Sequence, residues 1–181
     1  MGLTEKHNEK ISIEDIYSLP DGKRAELIDG DMYMMAPPSW THQKLLLSIG
    51  RQIADYIDER GGECEVAIAP FAVFLNEDEI DYVEPDISVI CDKAKLSEKG
   101  CSGAPDWIIE IVSPSSRRMD YMIKLFKYKS VGVREYWIVD PAESCVTVYN
   151  FVNNDMAKYG FCDTMKSGIY DDMMIELPKL G

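Results

Sequence analysis

Two acidic residues adjoin or interrupt short apolar segments of the kind that fills the middle of a β-sheet. Asp86 stands directly before the run 87–90, and Glu110 lies inside the run 107–112. A buried carboxylate is costly unless it is paired, hydrogen-bonded or bound to a metal. Because two such acids lie on neighbouring elements, they indicate a shared cation. Oxygen ligands of this kind suit Mg²⁺ or Mn²⁺, which serve phosphoryl chemistry.

A lysine on the following segment extends this candidate site. The segment from about 119 to 130 predicts a helix, on which Tyr121, Lys124 and Tyr128 occupy positions i, i+3 and i+7 and so share one face. An ammonium group near the carboxylates could orient a water or stabilise a pentacovalent phosphorus. The spacing of Asp86 and Glu110 alone is equally compatible with two capping or salt-bridged acids at strand ends.

The size and cysteine content of the chain favour one cytoplasmic domain. The 181 residues predict a single domain, 1–181, in which residues 1–10 are flexible. The apolar runs are too short to span a bilayer, and the charged N-terminus does not resemble a secretory signal. The five cysteines are odd in number and none forms a Cys-x-x-Cys pair, so we expect reduced thiols rather than a zinc site or a disulfide framework.

Charge is distributed unevenly along the chain. The formal net charge of −13 argues against general affinity for nucleic acids. The segment 117–134, however, carries six basic residues against Asp120 alone, which gives a local charge of +5. This segment could guide a polyanion towards the acids. A solvated helix face is the more ordinary explanation for such a run.

The hydrophobic periodicity predicts an α/β fold with a mixed sheet flanked by at least two helices. Ser12 is expected to cap a short helix that ends near 19–20, and the longest helix is expected from Ser39 or Thr41 to about Arg60. The strands are predicted at 24–28 and 31–35, as a hairpin, and at 64–69, 71–75, 86–90, 107–112, 135–139, 145–151, 158–161 and 173–177.

Several other polar or aromatic residues have structural explanations that are at least as good as functional ones. Glu26 fits an exposed hairpin acid, and His42 near a helix start fits a capping or surface residue. Ser113 and Ser115 flank Pro114 without the glycines of a nucleophile elbow, so a turn or capping role is expected. The aromatic pair 136–137 is expected to pack in the core.

Taken together, a set of short motifs resembles the Uma-like putative restriction endonuclease family, a branch of the PD-(D/E)XK nuclease superfamily. The resemblance covers about residues 12 to 150 and is specific because the motifs occur jointly and in order. They are RAELIDGD (24–31), MAPP (35–38) with His42, EPD (84–86), IEIVSPS (109–115), Asp120 with Lys124 and Tyr128, and GVREYWIVD (132–140).

The resemblance implies a restriction-endonuclease-like core of αβββαβ type with extra antiparallel strands, and Mg²⁺-dependent hydrolysis of phosphodiester bonds. By motif, Asp86 and Glu110 match the two acids of the family, and Glu26 matches an acid supplied from the N-terminal region. Val112 stands where the superfamily lysine would follow. The resemblance suggests that Lys124 supplies this amine from the next helix.

The leading hypothesis is therefore a cytoplasmic, Mg²⁺-dependent endonuclease that acts on DNA, with Mn²⁺ as a possible substitute ion. In this hypothesis Glu26, Asp86 and Glu110 bind the metal, and Lys124 assists the attacking water or the transition state. A homodimer would allow both strands to be cut. Two alternatives stay open, a catalytically silent nucleic-acid-binding or assembly module on the same fold, and a structural protein whose acids pair with Arg or Lys.

Overall fold

The helices of the protein lie largely where the periodicity places them. The computed structural model describes residues 11–77 and 79–180, and the flexibility expected for residues 1–10 lies outside this part of the chain. Ser12 caps the first helix through a capping box with Asp15, and the Ser39 side chain caps the longest one. The helices are α1 (Ile13–Tyr17), α2 (Trp40–Glu59), a 3₁₀ helix (Lys93–Lys95), a π-helix (Met119–Lys124) and α3 (Leu125–Val131).

The strands form two six-stranded sheets and one two-stranded ribbon. In chain order they are β1 (Ala25–Ile28), β2 (Asp31–Met34), β3 (Glu65–Ile68), β4 (Val73–Phe74), β5 (Tyr82–Val83), β6 (Ile87–Ile90), β7 (Leu96–Ser97), β8 (Gly100–Ser102), β9 (Trp107–Ile111), β10 (Glu135–Asp140), β11 (Cys145–Asn150), β12 (Asp155–Gly160), β13 (Met165–Lys166) and β14 (Met174–Ile175).

The larger sheet contains the predicted nuclease-like core. Its strand order is β12-β11-β10-β9-β6-β3, in which β3, β6 and β9 are antiparallel and β9 runs parallel to β10. The chain passes through α2, β3, β6, β9, α3 and β10, which is the αβββαβ order. The strands β11 and β12 add the expected antiparallel extension. The α/β fold with this core is therefore confirmed.

Hydrophobic clusters cover both faces of the larger sheet. On one face, α2 packs Leu45, Ile49 and Ile53 against side chains of β6, β9 and β10. On the other face, Tyr128 of α3 lies in a second cluster with Ile108 and Tyr136. Burial of these side chains stabilises the sheet between two layers. Gly132, with φ of 92°, ends α3 in the left-handed conformation that favours glycine and returns the chain to β10.

The second sheet was not predicted as a separate unit. Its order is β2-β1-β5-β4-β8-β7, and it joins the predicted hairpin β1–β2 to strands of only two or three residues. Among these, β4 lies within the predicted strand 71–75, whereas β5, β7 and β8 lie where no strand was predicted. Such short strands carry too few residues for a periodic pattern, so pairing with distant strands decides their conformation.

The expectation of five reduced thiols is wrong. A disulfide joins Cys64 and Cys91 across a sequence separation of 27 residues. The antiparallel register pairs Glu65 with Ile90, so the residue before β3 and the residue after β6 stand opposite each other. Because two of the five cysteines form a disulfide, thiol content no longer supports a cytoplasmic location. Cys101 and Cys145 are free and buried, and Cys162 is free and exposed.

Within residues 11–77 and 79–180, none of the helices is long and apolar enough to cross a membrane.

Candidate functional site

The two acids that interrupt the apolar runs meet because β6 and β9 are antiparallel neighbours. The register pairs Ile87 with Ile109, which places Asp86 opposite Glu110. The backbone N–H of Asp86 lies 3.4 Å from Oε2 of Glu110, and the backbone N–H of Ile111 donates to Oδ2 of Asp86 at 2.7 Å. The structure thus brings Asp86 and Glu110 together, as the sequence predicts.

Lys124, at the end of the π-helix, joins these acids to a third one on the second sheet. Its Nζ lies 2.8 Å from Oε1 of Glu110 and 2.8 Å from Oε2 of Glu26, and all three side chains are about 95% buried. The other Glu26 oxygen also accepts from the backbone N–H of Glu84 at 3.0 Å. All the residues predicted for the site therefore form one connected cluster, in which Glu26 reaches the other acids through the ammonium.

His42 belongs to the cluster, although its position near a helix start indicated a capping or surface role. It is the third residue of α2, and its Nε2 lies 3.0 Å from Oδ2 of Asp86. Its side chain is 13% exposed. The one sequence signal for this role is the occurrence of His42 among the family motifs, because helical periodicity cannot show that the start of α2 reaches the start of β6.

Of the two tyrosines expected beside Lys124, only Tyr128 faces the site. Its hydroxyl donates to Oε1 of Glu110 at 2.8 Å, whereas the hydroxyl of Tyr121 donates to Asp140 at 3.1 Å. The expected common face is therefore wrong for Tyr121. The cause is the π-helical turn, whose wider i→i+5 pattern rotates Tyr121 away from the face that Lys124 and Tyr128 share.

Burial and crowded negative charge shape the electrostatics of the cluster. Burial raises the pKa of Glu110 well above its usual range, and the neighbouring Asp86, Asp120 and Glu26 raise it further, while Lys124 opposes the shift. Burial likewise raises the pKa of Asp120. For Lys124, burial lowers the pKa, but Glu110, Glu26 and Asp120 more than offset it and the net shift is upward. The ammonium is thus the internal counter-ion of the carboxylates.

The donor atoms of the cluster fit a hard divalent cation. Among the described residues, no group of three His, Cys, Asp or Glu side chains has the geometry of a metal-binding cluster. Mg²⁺, however, is commonly held by one or two carboxylates together with waters and substrate phosphates. In this part of the chain no residue bonds Oδ1 of Asp86, and Oε2 of Glu110 has only the long contact with the Asp86 N–H. One oxygen of each acid is therefore available for a metal.

The basic segment 117–134 is largely neutralised within the fold. Lys127 contacts Asp29 at 2.7 Å and Asp81 at 2.5 Å, and Arg134 contacts Asp106 at 3.1 Å. Arg117 likewise pairs with Asp140. The exposed Arg118 makes no ion pair with any described residue. The local charge of +5 therefore does not form a free basic surface.

The remaining candidates have the structural roles expected of them. Ser113 and Ser115 lie in a turn, in which their hydroxyl oxygens are 3.1 Å apart and the Ser113 N–H donates to Oγ of Ser116 at 2.9 Å. Tyr136 and Trp137 are fully buried in the two hydrophobic clusters. The Tyr136 hydroxyl donates to the backbone oxygen of Asp120 at 3.1 Å, which fixes the π-helix against β10.

Comparison with known families agrees with this architecture. The model of the Uma2 family, described as putative restriction endonuclease, matches residues 13–166. The chain belongs to this family. The match includes every residue of the cluster, from Glu26 to Lys124.

Two cyanobacterial relatives and one crystal structure resemble this Uma2 protein. The uncharacterized protein slr1290 of Synechocystis sp. is 23% identical over 145 residues, which cover 78% of this chain and 74% of the relative. The uncharacterized protein sll1609 of the same organism is 25% identical over 121 residues, or 65% and 67% of the two chains. A putative nuclease belonging to DUF820 from Anabaena variabilis superposes with a TM-score of 0.71 at 20% identity, covering 88% of this chain and 90% of that one. This last likeness shows a nuclease-like fold.

Proposed function

We propose that this Uma2 protein is a Mg²⁺-dependent endonuclease that hydrolyses phosphodiester bonds of DNA. The observation that carries the proposal is the buried contact of Lys124 with Glu110, beside Asp86, at the meeting point of β6 and β9. Buried carboxylates next to an amine, with oxygens left for a cation, favour a functional site. Mn²⁺ would fit the same oxygen donors.

The carboxylates supply the metal-binding part of the proposed site. Asp86 and Glu110 would hold the ion through the oxygens that the protein leaves available, and Glu26 is the third carboxylate, joined to them by Lys124. When bound, the ion would screen charge on the scissile phosphate and lower the pKa of an attacking water. The backbone N–H of Ile111 and the hydroxyl of Tyr128 each hold one oxygen of these acids, so the ligands are preorganised.

Lys124 supplies the positive charge that is missing at Val112, the position of the superfamily lysine. Its ammonium is held by Glu26 and Glu110, and its raised pKa keeps it charged at neutral pH. A charged donor in a water-poor site stabilises negative charge that develops on the phosphate, or orients the attacking water. This role is independent of the position of the lysine in the sequence, since only the location of Nζ matters to the substrate.

A catalytically silent DNA-binding or assembly module is the second candidate. It is favoured by Val112 at the motif position and by the net charge of −13. In this case the ammonium of Lys124 would serve only as the counter-ion of Glu26 and Glu110. Binding of DNA without Mg²⁺-dependent cleavage would support it. For the endonuclease, cleavage of both strands of a duplex would favour a homodimer, and light scattering of the purified protein measures its mass directly.

A cleavage assay with three substrates tests the proposal. Supercoiled plasmid, circular single-stranded DNA and a structured RNA are incubated with the protein in the presence of Mg²⁺ or a chelator. We expect Mg²⁺-dependent cleavage of at least one of the circular DNA substrates, and a loss of at least about a hundredfold in Asp86→Ala. The matched control is Asp31→Ala, which removes an exposed acid of β2. Wild-type activity in Asp86→Ala, or cleavage of RNA alone, would contradict the proposal.

A further inference from the structure

The position of His42 is fixed by the helix that also packs on the strands of the site. Its backbone N–H donates to the Ser39 side chain at 3.2 Å, within the first turn of α2. Further along α2, Leu45 and Ile49 are fully buried in the cluster that contains Ile87 and Ile109, the neighbours of the two acids. The imidazole is therefore presented to Asp86 by a helix anchored on β6 and β9 and has little freedom to move away.

The contact with His42 divides the two oxygens of Asp86 into different roles. Oδ2 lies 3.0 Å from Nε2 of His42 and accepts the Ile111 N–H at 2.7 Å. No described residue bonds Oδ1. Two partners on the same oxygen define the rotation of the carboxylate about its terminal bond. With Oδ2 held in this way, Oδ1 is the atom presented to a cation.

The surroundings of the other ring nitrogen favour one tautomer of His42. Nδ1 is buried and has no hydrogen-bond partner among the described residues. A neutral imidazole has an N–H on one ring nitrogen and a lone pair on the other. Leaving the lone pair of Nδ1 without a partner costs less than leaving an N–H there without an acceptor. The hydrogen is therefore expected on Nε2, from which it is donated to Asp86. The ring then acts as a fixed donor to the carboxylate.

We infer that His42 is a positioning residue for the metal-binding carboxylate of Asp86. This inference rests on the metal site of the proposed function and adds a residue to it. The imidazole, together with the Ile111 N–H, holds the carboxylate so that Oδ1 remains directed to the cation. The Asp86 side chain is thereby ordered before metal or DNA binds. Such donors behind a ligand typically contribute about 10–100-fold to metal affinity or activity.

Three substitutions of His42 separate this role from a merely structural one. In His42→Gln the amide nitrogen reaches about as far as Nε2, in His42→Asn it reaches only as far as Nδ1, and in His42→Ala no donor remains. Mn²⁺ is the probe, and its dissociation constant is measured by calorimetry on the whole chain without nucleic acid. Gln43→Ala, which changes the next and exposed residue of the same helical turn, is the matched control.

We expect Mn²⁺ to bind about 10–100-fold more weakly to the Ala and Asn variants, and within a few-fold of the wild-type value to His42→Gln. The Mg²⁺ concentration for half-maximal cleavage should shift in the same order. Equal Mn²⁺ affinities for wild type and His42→Ala would overturn the inference, as would loss in all three variants with Gln43→Ala unaffected. A His42-dependent Mn²⁺ site in a protein that cuts no nucleic acid would support the inference and overturn the proposed function alone. A wild-type protein that binds no Mn²⁺ would overturn the inference together with the metal part of that proposal.

Discussion

At the scale of single residues, the buried ammonium of Lys124 balances an unusual concentration of acids. Glu26, Glu110 and Asp120 lie around it, and Nζ contacts Glu26 and Glu110 at 2.8 Å and Asp120 at 3.8 Å. Removing one partner of a buried ion pair is strongly destabilising because it leaves an uncompensated charge. The stability of the fold and the proposed chemistry of the site therefore depend on the same side chain.

Lys124→Met is expected to lower the free energy of unfolding by about 3–5 kcal/mol near neutral pH. Burial already raises the pKa of Glu110, and loss of the ammonium raises it further, so the folded variant takes up protons more readily than the unfolded chain. The deficit relative to wild type should therefore shrink as the pH falls from about 8 to about 5. Urea unfolding of both proteins at a series of pH values measures this difference in the free energy of unfolding.

The control is Lys129→Met, which removes an exposed lysine bonded to Asn154 and should change stability by no more than about 0.5 kcal/mol. A deficit in Lys124→Met that is independent of pH would contradict the counter-ion role of the lysine.

The residues of the site differ in how far the sequence reveals them. Asp86 and Glu110 are visible because a carboxylate beside or within an apolar strand is chemically anomalous. Glu26 is 4% exposed, yet its hairpin position fits an exposed acid equally well, and only the family motifs distinguish it. His42 was interpreted as a capping or surface residue because its contact with Asp86 depends on where α2 starts relative to β6, which is a tertiary property.

At the scale of elements, the π-helix Met119–Lys124 allows two contacts that a regular helix could not make together. Tyr121 reaches Asp140 at the end of β10, while Lys124 and Tyr128 reach Glu110. A single π-helical turn behaves as one extra residue in an α-helix. Periodicity of apolar residues does not reveal it, because the sequence on either side still reads as one helix.

Deletion of Met122 should convert this turn to regular α-helix and separate the two sets of contacts. Met122 is 53% exposed, so little buried surface is lost directly. We expect cleavage to fall to background and stability to fall by about 1–3 kcal/mol, while far-UV circular dichroism keeps its helical signal. Met122→Ala keeps the chain length and should behave as wild type. Full activity in the deletion variant would contradict this role of the π-helix.

The disulfide, like the π-helix, follows from how the elements are arranged and not from the spacing of residues in the sequence. Cysteines that are 27 residues apart are brought together by the register of β3 and β6, which the count and spacing of cysteines could not show. Thiol alkylation followed by mass spectrometry tests it. Without reductant, the unfolded chain should label at Cys101, Cys145 and Cys162 alone, and the native chain mainly at Cys162.

Reduction before labelling should make all five cysteines reactive. Modification of all five in the unfolded chain without reductant would contradict the disulfide.

The long strands β6, β9, β10 and β11 could be predicted because each presents a run of apolar or alternating residues. Of the second sheet, the hairpin and the strand that contains β4 could be predicted, but the other strands and the pairing could not. Its strands β7 and β8 are two and three residues long, and β8 is held by parallel pairing of Cys101 with Val73 of β4, a contact between segments with no common pattern.

At the scale of the whole molecule, two lysines connect the second sheet to the first sheet and to α3. Lys124 joins Glu26 of the second sheet to Glu110 of the first, and Lys127 of α3 contacts Asp29 and Asp81 beside the second sheet. These ion pairs also neutralise much of the positive charge of the segment 117–134. The protein as a whole is strongly acidic, so binding of DNA would depend on the site and its bound cations more than on a broad basic surface.

Because both sheets share the buried cluster, the chain should unfold in one cooperative transition, as expected for a single domain. Trp107 and Trp137, packed with ring centroids 5.0 Å apart, report on the first sheet by fluorescence, and circular dichroism reports on the whole chain. The two urea curves should coincide. Two separated midpoints would show that the second sheet unfolds independently.

The most direct test of the proposed metal site is the single-turnover rate of DNA cleavage by Glu110→Gln at saturating Mg²⁺, compared with that of the wild-type protein. Gln has nearly the shape of Glu and can keep an acceptor for Lys124 and Tyr128, so the fold should survive while the charge is lost. We expect a rate at least about a hundredfold lower than that of the wild type, with the unfolding transition still cooperative. Cleavage by Glu110→Gln at the wild-type rate would contradict the proposed role of this carboxylate.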